Sequence, residues 1–527
     1  MQQRGSVGAY KYRAVILDAV HGFIPVNEAE YSLLQTPFMR RLHNITQLGL
    51  TYLVYPGAHH TRFEHSIGVM HLMGKFSEKL ASVMQENSDL CLSITSECKK
   101  RELKNFIQLS RLTGLLHDLG HMPFSHQLEI ALSNARNDGL ISLDWMNGFN
   151  GKIHEYYTLS FIRSLAESIV GRRLKLYHFL QGVEDALSRY KNPRKEVMEK
   201  LGLRPGAFTV VSQLISGTID ADRLDYVLRD SLHTGVVYGR VDIDRLIYAL
   251  TLDISNGKPQ VMYDIRGLSA LEDMFDSRIK MYKWLYLHHK NTSFYIALTR
   301  ILERIIDLWD KIREIVYPTL PRDMSIEEFL NPVKAAELIG AGQILYDEQE
   351  FIQAAKALRW LGDPLGSRWA SSIMERRDLL PVSIIKRMGD ITLYTRDKPQ
   401  EFLRKLFKSI SSPGNVKLIE DKLLENYKAK LGPHLKEQCK IPESKAKFIV
   451  SALSIEKRAF KRDLKIRGTR ILEVSGVSSH IRGIHYSASE PIIYVHAYSE
   501  DTCEHIFIRR NSSRIKELVI EVLATMD

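Results

Sequence analysis

From residue 38 to about residue 312 the apolar side chains recur mostly at intervals of three and four, which confines that half of the chain to amphipathic helices. Phe63, Ile67, Met70, Met73, Phe76 and Leu80 form one stripe on one helix face, and Phe106, Leu109, Leu112 and Leu116 a second helix. Val210, Leu214 and Ile215, then Leu224, Tyr226 and Val227, give a further pair of segments around Asp222, and 271–309 reads as one long helix with few breakers. Ahead of these lie a short strand at 12–16 and a turn at His21-Gly22. Pro318-Thr319-Leu320-Pro321 reads as a hinge. Helical segments continue to about residue 427, strand-like runs follow at 448–453, 469–474 and 491–498, and a helix over 513–524 closes the chain. The expected fold is mainly α, with a helical core over 1–317 and a C-terminal α+β region over 318–527.

With 527 residues the chain exceeds one ordinary core, so two domains, or one large domain with appendages, are expected. No apolar run approaches the roughly 18 residues that span a bilayer, and Met1-Gln2-Gln3-Arg4-Gly5 leads into no apolar signal segment, so neither membrane nor export is expected. Cys91, Cys98, Cys439 and Cys503 contain no C-x-x-C pair and suggest no disulfide framework; a reduced, cytoplasmic setting is the expectation. The net charge of +11 suits an anionic partner, nucleic acid or polyphosphate, and equally suits plain solubility. One basic stretch, Lys445, Lys447, Lys457, Arg458, Lys461, Arg462, Lys465 and Arg467, reads first as a solvated face and second as a phosphate, nucleic-acid or subunit contact.

The chemistry concentrates at His117-Asp118-Leu119-Gly120-His121-Met122-Pro123-Phe124-Ser125-His126, three histidines and an aspartate at the end of an apolar helix. Imidazole nitrogen and carboxylate oxygen are ligands for a divalent transition metal. Eight of the 19 histidines fall between His59 and His154. His65 opens the helix of the first stripe, and a distant ligand from a facing helix is expected, for which Asp222 is the best candidate. Asp222, Tyr226 and Arg229 stand at i, i+4 and i+7, a stripe suited to a metal-bound phosphate ester or, more plainly, a salt-bridged helix surface. His59, His60 and His71 read as packing or surface residues, and His233 as a cap or cleft residue.

His65, His117-Asp118 and Asp222 reproduce the H…HD…D pattern of the HD phosphohydrolase superfamily. Tyr55-Pro56-Gly57-Ala58, Thr61 to Gly68, His117 to His126, Ile153-His154-Glu155 and Asp220 to Asp230 sharpen this. Together they resemble the deoxynucleoside triphosphate triphosphohydrolases, the branch with the SAM-and-HD-domain dNTPase, over about 17–290. The resemblance implies an HD-domain helical core with His65, His117, Asp118 and Asp222 holding a divalent ion, whether Mn, Fe, Mg or Zn. It implies His126 and His154 as acid/base groups, Glu129 as the orienter of a histidine and His121 close to the phosphates. Arg62 and Arg223 would neutralise the triphosphate, Tyr226 and Asp230 would meet the sugar, and Gln47 and Leu48 would line the sugar and base side. His288-His289-Lys290 resembles a His-Lys element near the substrate.

The implied reaction converts a dNTP to deoxynucleoside and inorganic triphosphate, in a homo-oligomer of dimer size or larger. The HD blocks start without a preceding SAM-like segment, and Ala14, Gln35, Arg40 and His43 stand where the relative reads guanine nucleotide, so activation by GTP is not carried over. Another nucleotide effector, or no activator at all, fits the sequence equally. The rival readings are an HD phosphohydrolase for a nucleoside monophosphate, cyclic nucleotide or nucleic-acid end, and a nucleic-acid-binding sensor on the same fold.

Overall fold

A computed structural model describes residues 12–169, 173–188, 192–376, 379–386, 388–392, 406, 410, 413–454, 465–467, 471–473, 478–481 and 491–525. The chain opens with an antiparallel hairpin, β1 (Tyr12–Asp18) and β2 (Gly22–Asn27), whose register closes at Asp18 opposite Gly22. Helices then dominate, as the apolar spacing requires. The Arg62–Glu86 helix starts at a capping box in which the Thr61 hydroxyl accepts the Glu64 N–H and the Glu64 carboxylate accepts the Thr61 N–H at 2.6 Å. Its stripe, Ile67, Met70, Met73, Phe76 and Leu80, is buried against the Lys100–Leu116 helix. The Pro205–Ser216 and Ala221–Thr234 helices complete the bundle round the site, the latter capped by the Asp220 carboxylate on the Arg223 N–H at 2.8 Å.

The expected long helix over 271–309 is broken. Leu268–Met281 runs into a π-turn at Tyr282–Tyr286, and two further helices, His289–Asp307 and Trp309–Val316, follow. Neither glycine nor proline marks that break. Tertiary bonds make it, with Tyr286 donating to Asp230 at 2.6 Å and Asn291 Nδ2 to the Leu285 carbonyl at 3.0 Å. A second unforeseen element is the hairpin of β3 (Leu250–Ser255) and β4 (Lys258–Asp264). Asn256 and Gly257, both at positive φ, form its turn, and an Asn-Gly pair between strand-like runs is the expected signal for it.

The C-terminal α+β expectation holds. The Pro413–Cys439 helix packs on a sheet ordered β5–β9–β6, with β5 (Val382–Ile385) and β6 (Ala446–Ser454) antiparallel to β9 (Pro491–Ser499), and the Ser512–Ala524 helix ends the fold. Strand β9 shows two-residue alternation with a core on each face. Ile493, Val495 and Ala497 join a cluster drawn from Ile384 to Leu523, while Ile492, Tyr494 and Tyr498 join the larger cluster drawn chiefly from Ile24 to Leu379. Tyr317, Leu320 and Met324 belong to the larger cluster, so the change of core falls near residue 380 and the Pro318–Pro321 segment is packed within the first core. Two short strands, β7 (Lys465–Arg467) and β8 (Ile471–Glu473), extend the β3–β4 hairpin into a four-stranded sheet; of the run expected at 469–474, residues 469, 470 and 474 lie outside the described residues.

The cysteine expectation is corrected. Cys91 pairs with Cys98 and Cys439 with Cys503, each with Cα atoms 5.6 Å apart, within bridging reach. The second pair is 64 residues apart in sequence and is brought together by tertiary packing, so the ground for inferring a reducing setting falls away. Of the basic stretch, Lys457, Arg458, Lys461 and Arg462 lie outside the described residues. Lys447 pairs with Glu500 at 3.3 Å, Lys465 donates to Gln260 at 3.2 Å, and Arg467 faces Asp264, as a solvated, locally paired surface would. Among the described residues no helix is long and apolar enough to cross a membrane.

Candidate metal and phosphate site

Three helix ends bring four side chains of metal-ligating type to one point. His65 lies in the first turn of Arg62–Glu86, His117 and Asp118 follow the end of Lys100–Leu116, and Asp222 lies in the first turn of Ala221–Thr234. His65 Nε2 is 3.1 Å from Asp222 Oδ1 and 3.6 Å from Asp118 Oδ2, and His117 Nε2 is 3.3 Å from Asp118 Oδ1 and 3.7 Å from Asp222 Oδ1. The backs of both rings are fixed: His65 Nδ1 bonds Asp225 at 2.7 Å and His117 Nδ1 bonds the Gly114 carbonyl at 2.8 Å, which turns each Nε2 to the centre. His117 Nε2 is buried without a hydrogen-bond partner. Two ring nitrogens and two carboxylates converging on such an orphaned atom fit a divalent cation.

The charges are tightly balanced. Burial works against ionisation throughout, yet hydrogen bonds to Asp222 and Asp225 lift His65 to about 9, and the neighbouring His117 and His65 rings keep Asp222 far below the usual carboxylate range. Asp118, likewise buried, is held down by His117, His121 and Arg62. Two carboxylates therefore stay ionised at the centre, where a cation would displace the imidazolium proton.

Beneath His65 runs a buried network that sequence reasoning missed. Asp225 takes His21 Nε2 at 2.7 Å and Arg229 at 2.8 and 2.9 Å, and Arg229 reaches Asp18 at 2.8 and 3.1 Å. Arg229 is 0% exposed, which corrects its place in a phosphate-facing stripe with Asp222 and Tyr226: its long side chain is drawn to Asp225, one turn back. Gly68 makes room, since a Cβ there would overlap both Asp225 and Arg229.

The second half of the motif folds back through Gly120, which lies against the backbone of His154–Thr158 with no space for a Cβ and donates its N–H to Thr158 Oγ1 at 2.9 Å. His121 is thereby stacked on His154, with ring centres 4.2 Å apart. Glu129 bonds Nδ1 of His126 at 2.9 Å and Nδ1 of His154 at 3.0 Å. Burial opposes the Glu129 charge but the two histidines outweigh it, so it stays ionised and orients both rings. Burial pulls His126 down to about 4 against the pull of Glu129. His121, His126 and His154 also bring ligand atoms close enough together to hold a second ion.

These groups open on one cavity of about 1340 Å³. The residues expected to act as metal ligands, acid/base groups or substrate contacts line it, except His65, which lies fully buried behind its neighbours, and the His288–Lys290 element. Arg62, 5% exposed, reaches Asp118 at 2.5 Å, Ser125 Oγ at 3.0 Å and the Gln47 carbonyl at 3.3 Å. Arg223 is turned onto Asp220 and the Gly217 carbonyl. Asp230 is held on both oxygens, by His60 at 2.7 Å and Tyr286 at 2.6 Å, and His233 stacks on His60 at 4.6 Å. Leu48 lines the wall, and the buried Gln47 Oε1 has no hydrogen-bond partner. Sequence reasoning also missed Arg278, 2% exposed beside Tyr226 and Tyr282 in the lining; set between Asp276 and Lys280 in an amphipathic helix, it reads like any other charged helix residue. His288, His289 and Lys290 fall outside the lining: His289 instead bonds Ser383 at 3.0 Å and gives its carbonyl to His496 at 3.1 Å.

A helical bundle whose facing helices deliver His, His-Asp and Asp to one point defines the HD class of metal-binding folds. The HD domain family matches residues 62–226, and the chain carries that domain. An uncharacterized protein of Methanocaldococcus jannaschii is 34% identical over 317 residues, 60% of this chain and 54% of its own length. The deoxynucleoside triphosphate triphosphohydrolase SAMHD1 of Danio rerio is 30% identical over 290 residues, 52% of this chain and 42% of its own. The chain thus spans about half the length of the curated relatives it matches. A crystal structure of a phosphohydrolase from Bacteroides thetaiotaomicron shares the fold, with a TM-score of 0.59 and 21% identity over 92% of this chain and 99% of that one.

Proposed function

We propose that this chain is a metal-dependent triphosphohydrolase of deoxynucleoside triphosphates, releasing the deoxynucleoside and inorganic triphosphate. The observation that carries the reading is the meeting, in one cavity, of the four-donor centre, the Glu129-oriented histidines, Arg62, and the Tyr226–Asp230 wall. The similarity to a relative named as a deoxynucleoside triphosphate triphosphohydrolase supports it.

His65, His117, Asp118 and Asp222 would hold the ion, whether Mn, Fe, Mg or Zn. That ion, when bound, polarises a phosphate oxygen and acidifies water. Arg62, with Arg223 and Arg278 in the same lining, offsets the triphosphate charge as the transition state forms. Attack of water on the α-phosphorus forms a P–O bond and breaks the bond to O5′. The leaving O5′ takes a proton from His126 or His154, a role that Glu129 fits by fixing both rings. Tyr226 and Asp230 would select the deoxyribose, with Gln47 and Leu48 beside it.

The same proposal includes a homo-oligomer, an oligomerisation or regulatory role for 318–527, and control by a nucleotide other than GTP or by none. The test is incubation of the purified protein with each dNTP and NTP and Mn²⁺ or Mg²⁺. Release of triphosphate, abolished in Asp118→Ala, is expected. Pyrophosphate or stepwise orthophosphate would refute it, as would silence under every mixture.

A further inference from the structure

The segment after the Pro332–Gly340 helix runs back to the site and is fastened to it by two buried charged groups, Arg41 from the site side and Glu348 from the segment. Arg41, 0% exposed, donates to the Leu119 carbonyl at 3.0 Å and the His121 carbonyl at 2.7 Å on the site side. On the segment it donates to Leu345 and Tyr346 carbonyls at 3.0 and 2.7 Å. Two residues on, Glu348 opens the Glu348–Trp360 helix and presents a single oxygen, Oε1, to three donors. These are the Thr46 N–H at 2.8 Å, the Thr46 hydroxyl at 2.7 Å and the Phe124 N–H at 3.0 Å.

The chain that Glu348 holds is strained. Phe124 and Ser125 sit at φ 56° and 54°, the left-handed region that non-glycine residues occupy only where their surroundings enforce it. Ser125 donates its hydroxyl to the Thr46 carbonyl at 2.7 Å and accepts Arg62 Nε at 3.0 Å, and Arg62 in turn meets Asp118. His126 is the next residue and opens its own helix. One carboxylate oxygen thus ties Thr46 to Phe124, and that tie sets both the angle of Arg62 and the entry of His126.

We propose that Glu348 is a positioning residue of the phosphohydrolase site, locking the Phe124–Ser125 turn so that Arg62 and His126 stay in register with the metal ligands. This rests on the function proposed above. Burial lifts the Glu348 carboxyl to about 7 despite its hydrogen bonds to Thr46 and Phe124, and no cation pairs with it among the described residues. Such a group is costly to bury for packing alone.

The test compares Glu348→Ala and Glu348→Gln in the full metal-loaded chain, by kinetics on a dNTP and by hydrogen exchange over 122–127. In Glu348→Ala, exchange at Phe124 should rise about tenfold or more, since its acceptor is gone. There kcat should fall by about 30-fold or more with KM within about threefold, because misplacement acts on the reacting geometry. Glu348→Gln keeps an oxygen acceptor and should stay within about threefold of wild type on both readouts. If Glu348→Ala does not fold, Glu348→Asp, which withdraws the oxygen by one methylene, should show the same pattern. Unchanged exchange at Phe124, Gln as impaired as Ala, or a kcat loss equal to the unfolded fraction would overturn the proposal. A wild type that hydrolyses no nucleotide would count against the substrate reading, while the exchange still decides whether Glu348 holds the turn.

Discussion

Asp225→Asn changes one atom of the buried network, and its consequences follow from the donors around it. Asp225 Oδ1 faces His21 Nε2 at 2.7 Å and Arg229 Nη2 at 2.9 Å, and Oδ2 faces His65 Nδ1 at 2.7 Å and Arg229 Nε at 2.8 Å. A guanidinium cannot accept, so whichever side the amide NH₂ takes, one bond to Arg229 is lost, about 1.5–3 kcal/mol for a hydrogen bond to a charged group. Arg229 keeps Asp18, which limits the damage. On the His65 side the NH₂ would also force the ring to accept through Nδ1, moving its proton to Nε2, the nitrogen that faces the metal centre. Disrupting a ligand's supporting carboxylate lowers metal affinity roughly 10–100-fold, about 1.4–2.8 kcal/mol. Titration of Mn²⁺ into chelator-stripped protein reads the affinity, and urea unfolding reads the stability. A folded Asp225→Asn protein that binds Mn²⁺ within about twofold of wild type would refute the claim that Asp225 sets the His65 tautomer.

Gly68→Ala should destabilise by about 1–3 kcal/mol in urea, because Asp225 and Arg229 are fully buried and cannot yield to the new Cβ; a stabilised variant would contradict the close approach. Arg278→Ala should raise KM for a dNTP and lower kcat/KM by about 10–100-fold if the guanidinium meets the phosphates, and unchanged kinetics would remove it from the site. In metal-free protein, His65 is lifted from 6.5 to about 9, so its stabilising contribution is complete below about 6.5 and lost as pH rises through 9. A metal needs the neutral ring, so Mn²⁺ affinity should climb across the same window, as titrations in steps from pH 6 to 9 would show. A flat profile in both would exclude the Asp222–His65–Asp225 charge arrangement.

Much of this was legible because it is local. The stripe on Arg62–Glu86 needs only helical spacing, and His65, His117, Asp118 and Asp222 are residue types whose chemistry is confined to a few uses. The Asn256-Gly257 hairpin carries a local turn signal as well, but the helical reading of 38–312 passed over it. Long-range partners were not legible. Nothing near Tyr282 marks a π-turn, which depends on Asp230, 56 residues away, for its Tyr286 bond. The disulfide from Cys439 to Cys503 and the bonds from Glu348 to Thr46, 302 residues apart, are likewise written only in the folded chain.

The Ala221–Thr234 helix shows why the donors of such a site can be read from sequence while their readiness cannot. Asp222 and Asp225 are three residues apart, hence on adjoining faces of one turn. Asp222 stands in front of His65 at Nε2, and Asp225 stands behind the same ring at Nδ1. The sequence pattern singles out Asp222 but says nothing of what Asp225 does, and there Arg229 looks fit for phosphate. What separates the two aspartates is Asp18 on the β1 hairpin, which draws Arg229 inward, and Gly68, which lets Asp225 approach the helix that carries His65. With Arg229 committed to Asp18 and Asp225, that pair is fixed as the support, and Asp222 alone of the two is left with its charge facing the metal centre.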